Sequence, residues 1–79
     1  MRTVTLFTKP GCHLCEAVEQ VISDARRRRP FEFVIRDILK DPNLHARYRD
    51  ALPVVMLDGR EIARYRLSAA ELDRALMEG

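Results

Sequence analysis

Apolar and polar positions change period several times along this chain, and each change marks an element. Thr3-Val4-Thr5-Leu6-Phe7 is a β-branched and aromatic run closed by the turn cluster Lys9-Pro10-Gly11, which predicts a first strand over 3–7. Leu14, Ala17, Val18, Val21, Ile22 and Ala25 then recur at the i, i+3, i+4, i+7 spacing of an amphipathic helix. That helix starts near Cys12 or His13, and Pro30 stops it. Glu16 and Glu19 lie in its first half and Arg26-Arg27-Arg28-Arg29 at its end, so both signs of charge complement the helix dipole.

Period two returns where Phe31, Phe33 and Ile35 alternate with Glu32, Val34 and Arg36, a second strand ending at Arg36 or Asp37. A strand, a long helix and a strand make a βαβ unit, so these two strands are expected to be parallel with a right-handed crossover. Asp41 and Pro42 form the N-cap and first position of a short helix with Leu44 and Tyr48 inward. The run Leu52-Pro53-Val54-Val55-Met56-Leu57 is almost wholly apolar, as in a strand buried on both faces, with its proline at the permitted start. Asp58-Gly59 predicts a type I′ hairpin turn, with 60–65 as the antiparallel partner. Ser68 and Glu71 spell a capping box, Leu67 and Leu72 its hydrophobic staple, and Leu72, Ala75 and Leu76 the inner face of a last helix. The order is β-α-β-α-β-β-α, an α/β fold in one domain spanning 1–79.

Composition narrows the class. With 79 residues, 47% hydrophobic and 33% charged, the chain fits a small globular protein rather than a disordered one. No apolar run is long enough to span a membrane, and Arg2, Lys9 and Cys12 interrupt the N-terminus where a secretory signal would need an apolar core. A cytoplasmic monomer is the expectation. The net charge of +2 rests on the arginine run, which lacks the aromatics or motif of a nucleic-acid surface and reads as a helix C-terminus.

The chemistry is concentrated in Lys9-Pro10-Gly11-Cys12-His13-Leu14-Cys15, which holds the only two cysteines. A Cys-x-x-Cys opening a helix places a thiol where backbone N–H groups and the dipole favour negative charge, and only the thiolate is nucleophilic. In a cytoplasmic chain such a pair is catalytic or metal-binding more often than structural. Two cysteines supply half of the four ligands of a structural zinc site, and His13 and His45 do not stand at a ligand spacing, so no metal site within one chain is expected. His45 reads as a surface residue. A metal or iron–sulfur module bridging two chains, and an interaction domain with idle cysteines, are the alternatives to redox chemistry.

This element order, with Cys-x-x-Cys opening the first helix and Pro53 opening the third strand, resembles the thioredoxin fold. Thr8-Lys9-Pro10-Gly11-Cys12-His13-Leu14-Cys15 together with Leu52-Pro53-Val54 is similar to a bacterial glutaredoxin-like family, over nearly the whole chain. The resemblance implies a four-stranded mixed sheet with flanking helices and a cis Leu52–Pro53 bond beside the cysteines. It implies a thiol–disulfide oxidoreductase acting on a disulfide-containing protein or low-molecular-weight thiol, with no resident cofactor and glutathione as one candidate reductant. Cys12 would be the nucleophile and Cys15 the resolving thiol, and Leu52 would offer its backbone to an extended substrate. Lys9 would face the thiolate or a glutathione carboxylate, His13 would relay protons, and Arg66 with Ser68 could hold a carboxylate at the last helix. Glutaredoxins carry a Gly-Gly followed by a small residue and Asp before that helix. The stretch here is Arg64-Tyr65-Arg66-Leu67-Ser68, so the likeness implies disulfide exchange without by itself implying glutathione.

Overall fold

In the computed structural model, which describes residues 1–78, the central strand is β1 (Thr3–Thr8). It pairs in parallel with β2 (Glu32–Asp37), Thr3 opposite Glu32 and Thr8 opposite Asp37. On its other side it pairs antiparallel with β3 (Val54–Leu57), and β4 (Arg60–Arg64) completes a sheet of order β2-β1-β3-β4. The parallel pair is joined by α1 (His13–Arg28); α2 (Pro42–Tyr48) follows β2, and α3 (Ala69–Met77) closes the chain. This is the α/β order that the sequence predicts and the four-stranded mixed sheet that the resemblance implies. A one-turn 3₁₀ helix, Ile38–Lys40, is an addition to that order; Asp37 caps it by accepting the Leu39 N–H at 2.9 Å. No helix among the described residues is long and apolar enough to cross a membrane.

The pleat sorts the core into two parts. Val4 and Leu6 of β1 with Val55 and Leu57 of β3 point to one face, where Val18, Ile22 and Ala25 of α1 and Leu72 of α3 cover them. Phe7 and Val54 point to the other face and pack with Ile38, Tyr48, Ala51, Leu52 and Cys15. The Phe7 and Tyr48 rings lie 5.0 Å apart within this second part.

Three inward positions expected from periodicity are corrected. Leu14 and Ala17 are exposed, Leu14 by 57%, because the buried stripe of α1 is Cys15-Val18-Ile22-Ala25. Cys15 behaves there as a small apolar side chain, and its stripe is rotated away from Leu14 by one residue. Ile35 is 47% exposed although it shares a face of the strand with the partly buried Phe33, because β2 is an edge strand and has β1 on one side only. His45 is half-buried rather than on the open surface. Element ends also move: β2 starts at Glu32, β3 at Val54 and β4 ends at Arg64.

Local signals hold where they are chemical. Asp41 accepts the Asn43 and Leu44 N–H groups as the N-cap of α2. Both halves of the Ser68–Glu71 capping box are formed, and Leu67 and Leu72 are buried in one cluster. Asp58 and Gly59 take φ of 50° and 84°, the left-handed pair that a type I′ turn requires. Arg2 ties the chain ends together: it donates to Asp58 at 2.8 Å and to the carbonyls of Leu76 and Glu78, both at 2.8 Å, at the C-terminus of α3.

Candidate functional site

The turn after β1 sets the site. Gly11 has φ 77°, which lets the chain reverse at the end of β1 and deliver Cys12 in extended conformation, φ −88° and ψ 102°, as the N-cap of α1. Helix N-termini leave backbone donors without intrahelical partners. Here the Cys15 N–H donates to the Cys12 sulfur at 3.2 Å, the place a serine or aspartate oxygen takes in other caps. The two cysteines are joined in a disulfide across the first turn, with Cα atoms 5.2 Å apart. Cys12 is half-buried, whereas Cys15 is 2% exposed and belongs to the apolar cluster with Phe7, Tyr48 and Leu52.

Facing this pair is the segment that enters β3. The Leu52–Pro53 peptide is cis, and Pro53 is fully buried. Leu52 packs in the same cluster as Cys12 and Cys15. Among the described residues neither its N–H nor its C=O takes part in a backbone hydrogen bond, while its neighbours do: Ala51 donates to Tyr48 at 2.9 Å and Pro53 accepts from Tyr65 at 2.8 Å.

The other sequence candidates are exposed. Lys9 is exposed on the turn. His13 is 93% exposed at its side chain, and its Nδ1 lies 3.2 Å from Glu16, so it is engaged along the helix surface. Arg66 is exposed, its N–H donating to Arg64 O at 2.8 Å. Ser68 is committed to its own helix: its hydroxyl accepts the Glu71 N–H at 3.1 Å, and its N–H donates to the Glu71 carboxylate at 3.0 Å. Hydrogen bonds from Ser68 hold the Glu71 carboxyl below its ordinary value. Cys12, Cys15 and Leu52 share one cluster with Pro53 next in the chain, while Lys9, His13, Arg66 and Ser68 are exposed.

Sequence reasoning misses one residue that supports the site. Tyr65 has φ 70°, a left-handed backbone in a residue other than glycine. It is held there at three points: its N–H donates to Pro53 O, its hydroxyl donates to Asp50 O at 3.2 Å, and the Arg66–Arg64 bond closes the tight turn about it. Tyr65 thus straps the 50–53 loop to the end of β4. The one available signal is its place where the resembling family has glycine.

Comparison with known proteins agrees with this geometry. The family model described as Glutaredoxin-like domain (DUF836) matches residues 3–77. An uncharacterized protein of Mycobacterium tuberculosis, Rv0508, is 35% identical over 63 residues, covering 73% of this chain and 65% of the relative. The matched region is therefore a little under two thirds of that relative's length. The crystal structure of the protein XcR50 from X. campestris superposes with a TM-score of 0.77 at 28% identity, covering 92% of this chain and 93% of that one. Ne2328 from Nitrosomonas europaea gives a TM-score of 0.80 at 24% identity, covering 94% and 89%. Chloroplastic thioredoxin z gives 0.79 at 15% identity over 96% of this chain and 75% of its own, a likeness of fold.

Proposed function

This chain belongs to the glutaredoxin-like domain family, and from that premise we propose that it is a thiol–disulfide oxidoreductase working through Cys12 and Cys15. The observation that carries the reading is the Cys12–Cys15 disulfide at the start of α1, with the Cys15 N–H on the Cys12 sulfur and the unpaired Leu52 backbone opposite.

In the reduced protein Cys12, the more exposed thiol, is the nucleophile. Its thiolate attacks one sulfur of a substrate disulfide, a new S–S bond forms, and the other substrate sulfur leaves as a thiolate that takes up a proton. Cys15 then gives up its proton and attacks the Cys12 sulfur, expelling the second substrate thiolate. The substrate has gained two electrons and the protein holds the Cys12–Cys15 bond. An external dithiol, or two equivalents of a monothiol such as glutathione, returns the protein to the reduced state. The buried position of Cys15 supports its resolving role, since a bulky substrate meets Cys12 first. Free N–H and C=O groups at Leu52 are suited to an extended substrate segment, which would pair with them as an added strand. Disulfide-bearing polypeptides are the substrate class this favours; Lys9 and Arg66 are the basic side chains that would meet a carboxylate on a smaller thiol.

The roles are tested by mass spectrometry of single-cysteine variants. Cys12→Ser should abolish disulfide reduction, and Cys15→Ser should accumulate a mixed disulfide on Cys12. Mixed disulfides accumulating on Cys15 of the Cys12→Ser variant, with none on Cys12 of the Cys15→Ser variant, would overturn the assignment. Reduction of the oxidised protein by glutathione, or by thioredoxin reductase with NADPH, identifies the electron donor.

A further inference from the structure

The sheet has two open edges, and only one of them matches itself. The Glu32 N–H donates inward to Arg2 O at 2.8 Å. The N–H and C=O of one strand residue point to the same side, and successive residues alternate. Glu32, Val34 and Arg36 therefore spend their backbone groups on β1, while those of Phe33, Ile35 and Asp37 face outward with no strand beside them. Val34 and Ile35 are also exposed at their side chains, by 37% and 47%.

In place of the monomer expected from composition, we propose that this edge is an interface between two copies of the chain, with β2 pairing antiparallel to β2 about a two-fold axis at Val34. Such an axis sets Val34 opposite Val34, Phe33 opposite Ile35 and Glu32 opposite Arg36, the last two each occurring twice. The outward-facing backbone groups belong to Phe33 and Ile35, so those pairs become the hydrogen-bonded ones. Val34–Val34 and Glu32–Arg36 become the non-hydrogen-bonded pairs, whose side chains stand closer. One face of the joint gains an apolar pair flanked by two ion pairs. The other face places the exposed Ile35 on the partly buried Phe33 of the neighbouring copy.

Charge selects this register. Moving the axis to residue 33 or 35 puts Glu32 or Arg36 against Val34 and loses both ion pairs. Arg36 makes a long ion pair with Asp41 of its own chain at 3.8 Å, and its side chain is 53% exposed, so it can also reach Glu32 of a second copy. The opposite edge fails the same test. β4 reads Arg60-Glu61-Ile62-Ala63-Arg64, and pairing it with itself about Ile62 sets Arg60 against Arg64 twice. Pro30, which has no N–H, bounds the β2 joint beyond Phe31. The β2 edge lies across β1 from β3, so the association leaves the Leu52–Pro53 side of each disulfide open.

Sedimentation equilibrium on the whole chain tests the association. The wild type should pass from monomer to dimer as its concentration rises, and less readily in high salt. Glu32→Arg and Arg36→Glu should each be monomeric where the wild type is dimeric. An equimolar mixture of the two should dimerise, because both cross-strand pairs of the mixed dimer again set an arginine against a glutamate. Recovery in the mixture shows that each variant is folded. In a Cys12→Ser, Cys15→Ser background, Val34→Cys should cross-link to a covalent dimer on mild oxidation, since residues opposite each other at that position stand within disulfide reach. Glu32→Cys should not. A wild type that stays monomeric at millimolar concentration overturns the proposal, and so does a dimer indifferent to both charge reversals.

Discussion

Cys12 is expected to be a reactive thiol in the folded protein. Cys15→Ser leaves Cys12 as the only thiol and keeps the backbone amide that donates to it. That amide sits 3.2 Å from the sulfur, and a hydrogen bond to a charged acceptor contributes about 1.5–3 kcal/mol. The N-terminus of the helix adds about 0.3–1 kcal/mol for a site as exposed as this one. Sulfur is a weaker acceptor than oxygen and Cys12 is only half-buried, so the lower part of the range applies, about 2–3 kcal/mol together. Both interactions favour the thiolate over the thiol, so the folded protein forms it more readily than a free cysteine, whose pKa is about 8.5. The assay is the rate of carboxymethylation by iodoacetamide as a function of pH, on folded protein and on the same variant in denaturant. The unfolded chain should show its inflection near about 8.5, and the folded chain should show it well below. Coincident inflections would refute the reasoning, because the amide and the helix end would then contribute nothing at the sulfur.

Ile22→Ala should cost about 2–5 kcal/mol by urea unfolding, whereas Leu14→Ala should stay within about 0.5 kcal/mol, since Ile22 is fully buried and Leu14 is 57% exposed. Arg2→Ala should lower stability by about 1–2 kcal/mol, read as a drop in thermal midpoint: it removes hydrogen bonds to the Leu76 and Glu78 carbonyls, while its exposed ion pair with Asp58 adds little. Stability should fall in acid. The backbone N–H of Thr3 and the Arg2 guanidinium hold Asp58 below its ordinary value, the Arg64 guanidinium does so for Glu61, and hydrogen bonds from Ser68 do so for Glu71. Carboxyls depressed in the folded state stabilise it fully above their ordinary values of 3.8 and 4.5, and lose that contribution as the pH falls through the folded values; a thermal midpoint that is flat from neutral pH down through that window would contradict the assignment.

Local signals in the chain are direct chemistry between near neighbours, and they are legible. A capping box needs Ser68 and Glu71 three residues apart; an Asp-Gly turn needs two residues that tolerate left-handed backbone; a Cys-x-x-Cys at a helix start needs only the helix. The buried face of α1 is less legible, because periodicity treats Leu14 as more apolar than Cys15, and which of two adjacent residues turns inward depends on where the sheet lies. The exposure of Ile35 has the same origin. Alternation states that two faces differ, but whether either is covered depends on the neighbours of the strand.

The sequence by itself determined the order of the strands and the three α-helices, the dithiol at the start of α1 and the proline that precedes β3, since each is encoded within a few residues. Tertiary structure alone decided that Cys15 is sealed in the core while Cys12 meets solvent, that Ser68 is engaged by its own helix, and that Tyr65 keeps a glycine-like backbone to strap the Leu52–Pro53 loop. It also decided that β2 ends the sheet, which turns Glu32-Phe33-Val34-Ile35-Arg36 from an ordinary strand into a self-complementary edge. These are consequences of contacts between residues far apart in the chain, and burial and strand neighbours are not properties of a local stretch.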